Sequence, residues 1–471
     1  MWKSNIIVSL FQFSYGSWVQ ALLSIFALPI FAFYLSPAEY AVISIFTIVY
    51  SFGISFVFLG LDQAFVRFYP FDTKNDNYVS DFYSISEKLF VIAAVLITLL
   101  SNNISEYILG FKDWKIVLLL IIHIYSGMIL RYATLTLRCE NESIHYSNSQ
   151  IYQSLVYFVL GLALVQLEFR AFSLVISFVS AQVFTTIYVV IIAKKKVGFK
   201  LCFLSKLKLI SKEIYLYSLP FIPILGLDWL LLNFDKIVLR SSSTLETMGI
   251  YFAAFKIVFA LNVVQLGFKA FWTPYAIKHM DNNDSKELFN SISKWLVFVF
   301  SFIFIVLVLL RNVIVHILPE SYGEIAQIFP LLLLGPVLST LYDLCTININ
   351  YANKPGYHIV SYLGALLVGL PLAFYVVPNW GIIGAVFSYV IVNLIYFLTG
   401  YYLSNKIDTD YYAKGMIIFN IAMFLSIGIS AYTNNVNSLL LLVLILLGGN
   451  GVYMKEDFKV IVQNIVEFVR K

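Results

Sequence analysis

The feature that most constrains this chain occurs fourteen times: an apolar run of about 18 to 25 residues, long enough for a helix to cross the roughly 30 Å hydrocarbon layer of a bilayer. In lipid every backbone amide must be satisfied inside its own helix or inside a closed barrel. The runs lack the period-2 alternation of a membrane barrel, so we read the chain as an all-α polytopic membrane protein of about fourteen transmembrane helices. Composition agrees. With 60% hydrophobic and 12% charged residues over 471 positions, a soluble multidomain protein is excluded.

The spans that matter most below are the second (Ala41 to Gly60), third (Leu89 to Leu100, with Tyr83 to Lys88 added), fourth (Ile116 to Leu137), seventh (Ile214 to Asn233), eighth (Gly249 to Trp272) and tenth (Ile325 to Ile347). They organise the chain into an N-lobe of six helices over residues 1–193, a basic linker over 194–213, and a C-lobe of six helices over 214–404. Two further helices follow over 405–454. A tail over 455–471 places Phe458, Ile461, Val462, Ile465 and Phe468 on one face, as a helix lying on the membrane surface does.

Basic residues set the orientation, because Lys and Arg near span ends are retained in the cytoplasm. Of the 31 Lys and Arg, only Lys112, Lys115, Arg170, Lys236 and Arg240 fall on the outer side when the N-terminus is inside. Arg131, Lys256, Lys269 and Arg311 lie within spans. Both termini are therefore expected in the cytoplasm. The formal charge of +5 reflects this asymmetry and attraction to anionic inner-leaflet lipid, with no nucleic acid required. Cys139, Cys202 and Cys345 fall at or near the inner face, where thiols stay reduced. The first span is too long for a signal peptide and ends without a small-x-small cleavage site.

The chain also repeats itself. LSPAEYAVISIFTIVYSFGISFVFLGLDQAF aligns with SSTLETMGIYFAAFKIVFALNVVQLGFKAFW at the offset between positions 62 and 269, pairing Glu39 with Glu246 and Gly60 with Gly267. Spans two and eight run in the same direction, the pattern of a parallel repeat about an axis along the membrane normal. Two such lobes would enclose a cavity and alternate its access by rocking. Ser44, Ser51, Ser55 and Asp62 are spaced to share one helical face, as are Asn262, Gln265 and Lys269. Either these faces line a wet cavity or they pack helix on helix through small and polar groups.

The fourth span carries HIYSGMILRYATLTLR, in which His123, Gly127, Arg131, Thr134 and Arg138 occupy one narrow face. Arg138 lies near enough to the interface to snorkel. Arg131, about two turns deeper, is costly unless it faces water or a partner. A guanidinium in a wet cavity suits a phosphate or diphosphate, which it binds bidentately. Arg67 would stand near the same mouth. On the tenth span Asp343 is either a proton or sodium coupling site or the ion-pair partner of a cavity cation. Lys256, Arg311 and His316 are read as snorkelling.

The run LSPAEYAVISIFTIVYSFGISFVFLGLDQAFVRFYP resembles the first repeat of the polysaccharide flippases within the multidrug/oligosaccharidyl-lipid/polysaccharide exporter superfamily. FDKIVLRSSSTLETMGIYFAAFKI, ESYGEIAQIFPLLLLG and PNWGIIGAVFSYVI follow in the order and spacing of that family. The resemblance implies an inner-membrane flippase of bacteria that carries an undecaprenyl-pyrophosphate-linked oligosaccharide between leaflets for O-antigen, capsule or exopolysaccharide. It also implies polysaccharide polymerase and chain-length partners. Arg131, Lys269, Arg138, Arg67, His123, Asn262, Gln265, Ser55 and Asp62 are the candidate substrate-binding residues. No cofactor is expected beyond a coupling H+ or Na+.

Two alternatives carry different chemistry. A cation-coupled multidrug antiporter of the same superfamily would favour acidic groups in its cavity, against which Arg131 and Lys269 count. A membrane-embedded polysaccharide polymerase or glycosyltransferase would bring a large external loop. The longest external connection read here, Phe234 to Met248, is about fifteen residues, short for a catalytic lid. The five histidines have no metal-site spacing, and no G-x-x-x-x-G-K-[ST] is present for ATP.

Overall fold

The computed structural model describes residues 2–69, 78–197, 199, 212–280, 285–352, 354–407, 412–455 and 457. Most of the tail and most of the basic linker lie outside them. Among these residues every regular element is a helix, and the chain divides into two compact units, Met1–Phe252 and Ala253–Lys471.

Unit 1 opens with α1 (Trp2–Tyr34), α2 (Pro37–Phe58), the short α3 (Leu61–Phe68), α4 (Tyr78–Leu99), α5 (Ser101–Leu109) and α6 (Trp114–Cys139). It continues with α7 (Ser143–Gln166), α8 (Ala171–Val197), α9 (Lys212–Ser218), α10 (Phe221–Ser242) and the first turns of α11 (Leu245–His279). Unit 2 contains the rest of α11, then α12 (Ser285–Leu309), α13 (Arg311–His316), α14 (Ile325–Leu332), α15 (Leu334–Cys345) and α16 (Ile347–Tyr351). It closes with α17 (Gly356–Asn405), α18 (Lys414–Tyr432) and α19 (Val436–Tyr453).

Among the described residues twelve helices are long and apolar enough to cross a membrane. The 50-residue α17 is two spans in succession, because its backbone leaves helical geometry at Gly381 (φ 57°, ψ −131°). With the eighth span on the 35-residue α11, the architecture is the fourteen-helix, multi-pass one that the apolar runs imply.

Local chemistry explains where α2 begins. Ser36 is its N-cap, Pro37 starts the first turn, and the Ser36 and Glu39 side chains each accept the other's backbone N–H, at 3.0 and 3.3 Å. This capping box satisfies two donors that a helix start leaves open. Ser36→Ala is expected to lower stability by about 1 kcal/mol, read as a lower melting temperature of the detergent-purified protein, while Ser36→Asp stays near wild type.

Three findings revise the sequence reading. First, α2 stops at Phe58, where Leu59 and Gly60 both take left-handed backbone (φ 43° and 83°). The face drawn through Ser44, Ser51, Ser55 and Asp62 therefore does not run through one helix, and Asp62 is aimed by α3 alone. Glycine is required at 60 because a Cβ would come within 2.8 Å of the Ser218 carbonyl oxygen, which seats α9 against α3. Second, the seventh span breaks at Leu219 and Pro220 and then runs on to Ser242, so only Ser243 and Thr244 connect α10 to α11. The fifteen-residue external connection is absent. Third, the third span lengthens to Tyr78. A second obligatory glycine is Gly249, whose Cβ would overlap the backbone of Pro37. It brings the start of α11 against the start of α2. In unit 2 a buried chain from Ser301 through Asn420 to Asn450 (2.6 and 2.7 Å) ties α12 to α18 and α19.

Candidate functional site

α3 and α6 meet where three arginines and one aspartate come together. Asp62, in the first turn of α3, is stabilised there by the positive end of the helix dipole. Its Oδ1 accepts the Gln63 backbone N–H at 3.0 Å, and its Oδ2 accepts Gln63 Nε2 at 3.2 Å. Gln63, Val66 and Arg67 lie beside it on one face of the short helix. From α6, Arg131, Leu135 and Arg138 follow at helical spacing of four and three, and Tyr217 of α9 completes the wall. These residues bound a cavity of about 560 Å³.

Arg131 donates from Nη2 to Asp62 Oδ2 at 2.7 Å. Its side chain remains 41% exposed while that of Asp62 is 10% exposed, so the pair shelters the acid and opens the cation. Arg67 and Arg138 are both exposed. Arg138 lies over the Tyr146 ring at 5.9 Å. Beyond α3, Tyr69 donates to Glu140 Oε1 at 2.6 Å. Burial and the Glu140 carboxylate raise its hydroxyl above the ordinary range, so it remains a donor and fastens α3 to the end of α6. The arrangement can hold a compact polyanion, because three guanidinium forks line one cavity.

Other candidate residues fall elsewhere. His123 is fully buried among Tyr50, Phe178 and Phe46, with ring centroids 4.2, 4.6 and 5.7 Å away. It lies outside the cavity lining. Ser55 turns back on its own helix, donating to the Ser51 carbonyl at 2.8 Å, and is also not part of the lining. In unit 2, Lys269 pairs with Asp343 at 3.0 Å and Gln265 donates to Ser339 Oγ at 2.7 Å, both linking α11 to α15. Asn262 is half-buried on α11. Asp343 thus pairs with Lys269, and Arg131 takes its carboxylate from Asp62.

Sequence reasoning missed Tyr217 and Gln63, and no spacing signal points to Tyr217, which reaches the cavity from beyond the basic linker. It also missed a buried cluster on α10. Asp235 is fully buried and accepts from Tyr251 at 2.5 Å and from Lys236 at 3.2 Å. Among the described residues no three metal-ligating side chains converge.

The fold is one shared with solved multi-pass membrane transporters. The chain is similar to the lipid II flippase MurJ in its inward closed conformation, with a TM-score of 0.67 over 95% of this chain and 99% of that one, at 14% identity. It is also similar to the inward-facing conformation of a multidrug resistance MATE family transporter of the MOP superfamily, with a TM-score of 0.63 over 82% of this chain and 94% of that one, at 16% identity. Comparison with curated proteins returns no match. The profile of the polysaccharide biosynthesis protein family matches residues 30–326, well over half the chain, and the chain belongs to that family.

Proposed function

We propose that this chain is a flippase that moves an undecaprenyl-pyrophosphate-linked oligosaccharide repeat unit from the inner to the outer leaflet of a bacterial inner membrane, for O-antigen, capsule or exopolysaccharide assembly. The observation that carries the reading is the arginine cavity of unit 1. A charged, hydroxyl-rich head group needs a hydrated cationic site, and Arg67, Arg131 and Arg138 supply one, while the polyprenyl chain stays in lipid. The drive is a proton or sodium gradient, or the gradient of the substrate itself. A multidrug antiporter on the same kind of fold would present carboxylates to cationic drugs. Among the described residues the one carboxylate lining this cavity, Asp62, is already paired with Arg131.

Leaflet-resolved transport of a lipid-linked oligosaccharide in proteoliposomes containing only this protein tests the reading. Transport that disappears without the protein is expected. No transport of any lipid-linked sugar, together with export of organic cations, would replace it with the antiporter.

The distribution of Lys and Arg along the chain puts both termini in the cytoplasm in this reading. Reporter fusions after Lys212 and at the C-terminus are expected to report cytoplasm, and a periplasmic signal from either would break this topology.

A further inference from the structure

Positions 62 and 269 are equivalent under the internal repeat, yet one is aspartate and the other lysine. Each pairs across to a later helix of its own unit: Asp62 to Arg131 of α6, and Lys269 to Asp343 of α15. The polarity is reversed along the chain, but the exposure is not. In both pairs the acid is sheltered, with side chains 10% and 15% exposed, and the cation is open, at 41% and 57%. Asp62 engages only Nη2 of Arg131, so Nε and Nη1 have no hydrogen-bond partner among the described residues. Among the described residues Lys269 likewise pairs only with Asp343. If a repeat merely needed a neutral helix contact, either member could face outward. Both units turn out the cation.

We infer that Asp62 and Asp343 are presenting counter-ions: each holds one donor of its cation, keeps the remaining donors turned to open space, and offsets part of its charge, so that a phosphate binds beside the pair and can leave again. This rests on the anion-binding reading above. Holding the side chain reduces the ordering that binding would otherwise cost. Offsetting its charge serves release, because a transporter site must let its cargo go. In the unit 1 cavity Asp62 stands against three arginines, which leaves two positive charges for the two negative charges of a diphosphate diester. Asp62 and Asp343 are positioning residues in this scheme; neither touches the cargo.

Purified protein in detergent is titrated with geranylgeranyl diphosphate, and transport is measured in parallel in proteoliposomes. Asp62→Asn retains an acceptor for Arg131 but removes the charge. It should bind the probe about tenfold more tightly, the order expected for one charge removed at close range in a wet site, with a steeper salt dependence and slower turnover. Asp62→Ala, which loses both the charge and the orientation, should bind less tightly than Asp62→Asn. Asp62→Glu should stay near wild type, which separates the charge effect from folding. If Asp62→Ala binds most tightly of all, Asp62 is a competitor that the phosphate displaces, and the inference fails. If Asp62→Asn binds no more tightly than wild type, it fails as well. Absence of binding in the wild-type protein would instead overturn the anion site itself.

In unit 2 the buried Oδ2 of Asp343 has no donor among the described residues, which would equally suit a bound proton or sodium ion. Asp343→Asn should leave the response of transport to an imposed gradient intact. Loss of that response would make Asp343 a coupling site and overturn the inference for this unit.

Discussion

Arg131→Ala is expected to weaken binding of a short-chain polyprenyl diphosphate by about 1.5 to 3 kcal/mol, the range for a hydrogen bond to a charged group. That is roughly one to two orders of magnitude in dissociation constant. The size follows from what the side chain still has to offer: one guanidinium nitrogen is held by Asp62 at 2.7 Å, and the rest of the fork is open to the cavity. Arg131→Lys keeps the charge and loses the planar fork, so it should fall between wild type and alanine. Removing the arginine also strands a sheltered carboxylate. Breaking a buried pair by one partner is usually costly. Here the cost is softened, because Asp62 keeps both Gln63 donors and the start of α3. Folded Arg131→Ala protein should therefore be recoverable, and its binding measurable. Wild-type affinity in that protein would show Arg131 to be a structural arginine.

What the sequence disclosed about this site and what it hid divide along one physical line. Apolar length reports the membrane helices directly, because lipid admits no other reading of such runs. Local backbone chemistry is also legible. The SPAEY run carries its own capping box, with Ser36 and Glu39 three residues apart ahead of an apolar run. The common face of Arg131 and Arg138 follows from helical spacing. Pairing across helices does not. That Arg131 meets Asp62 depends on Leu59 adopting a left-handed backbone, which a leucine rarely does. A helical wheel drawn through residues 44 to 62 misplaces the acid for that reason. His123 shares the arginine face by spacing, yet its ring fills an aromatic core between α2 and α8. Periodicity states which way a side chain leaves its helix, and the neighbouring helix decides whether it meets water.

The largest effect on stability is expected at Asp235. The sequence reading ended the seventh span at Asn233, two residues before Asp235 and Lys236. The structure instead carries the helix on to Ser242 and buries both charges. Adjacent residues on a helix do not face each other. They meet here because the long Lys236 stem folds back, donating to the Leu232 carbonyl at 2.8 Å and to both Asp235 oxygens at 3.2 Å. Tyr251 of α11 closes the cluster with a 2.5 Å bond to Asp235 Oδ2. The cluster therefore fixes the turn between α10 and α11, close to where Gly249 lies against Pro37. Asp235→Ala leaves a buried ammonium and a buried phenol short of their acceptor, and removal of one member of such a pair costs about 3 to 5 kcal/mol. The expected outcome is a sharp fall in membrane-inserted protein and in melting temperature. Replacing both charges, as Asp235→Leu with Lys236→Leu, should recover much of that loss, since a buried pair exchanged for apolar groups of similar volume is often neutral. The comparison is made on thermal unfolding of the detergent-purified variants. If the single alanine variant melts with wild type, the cluster is hydrated and its burial contributes nothing. If the single and double variants lose stability equally, the charges themselves hold the α10–α11 turn.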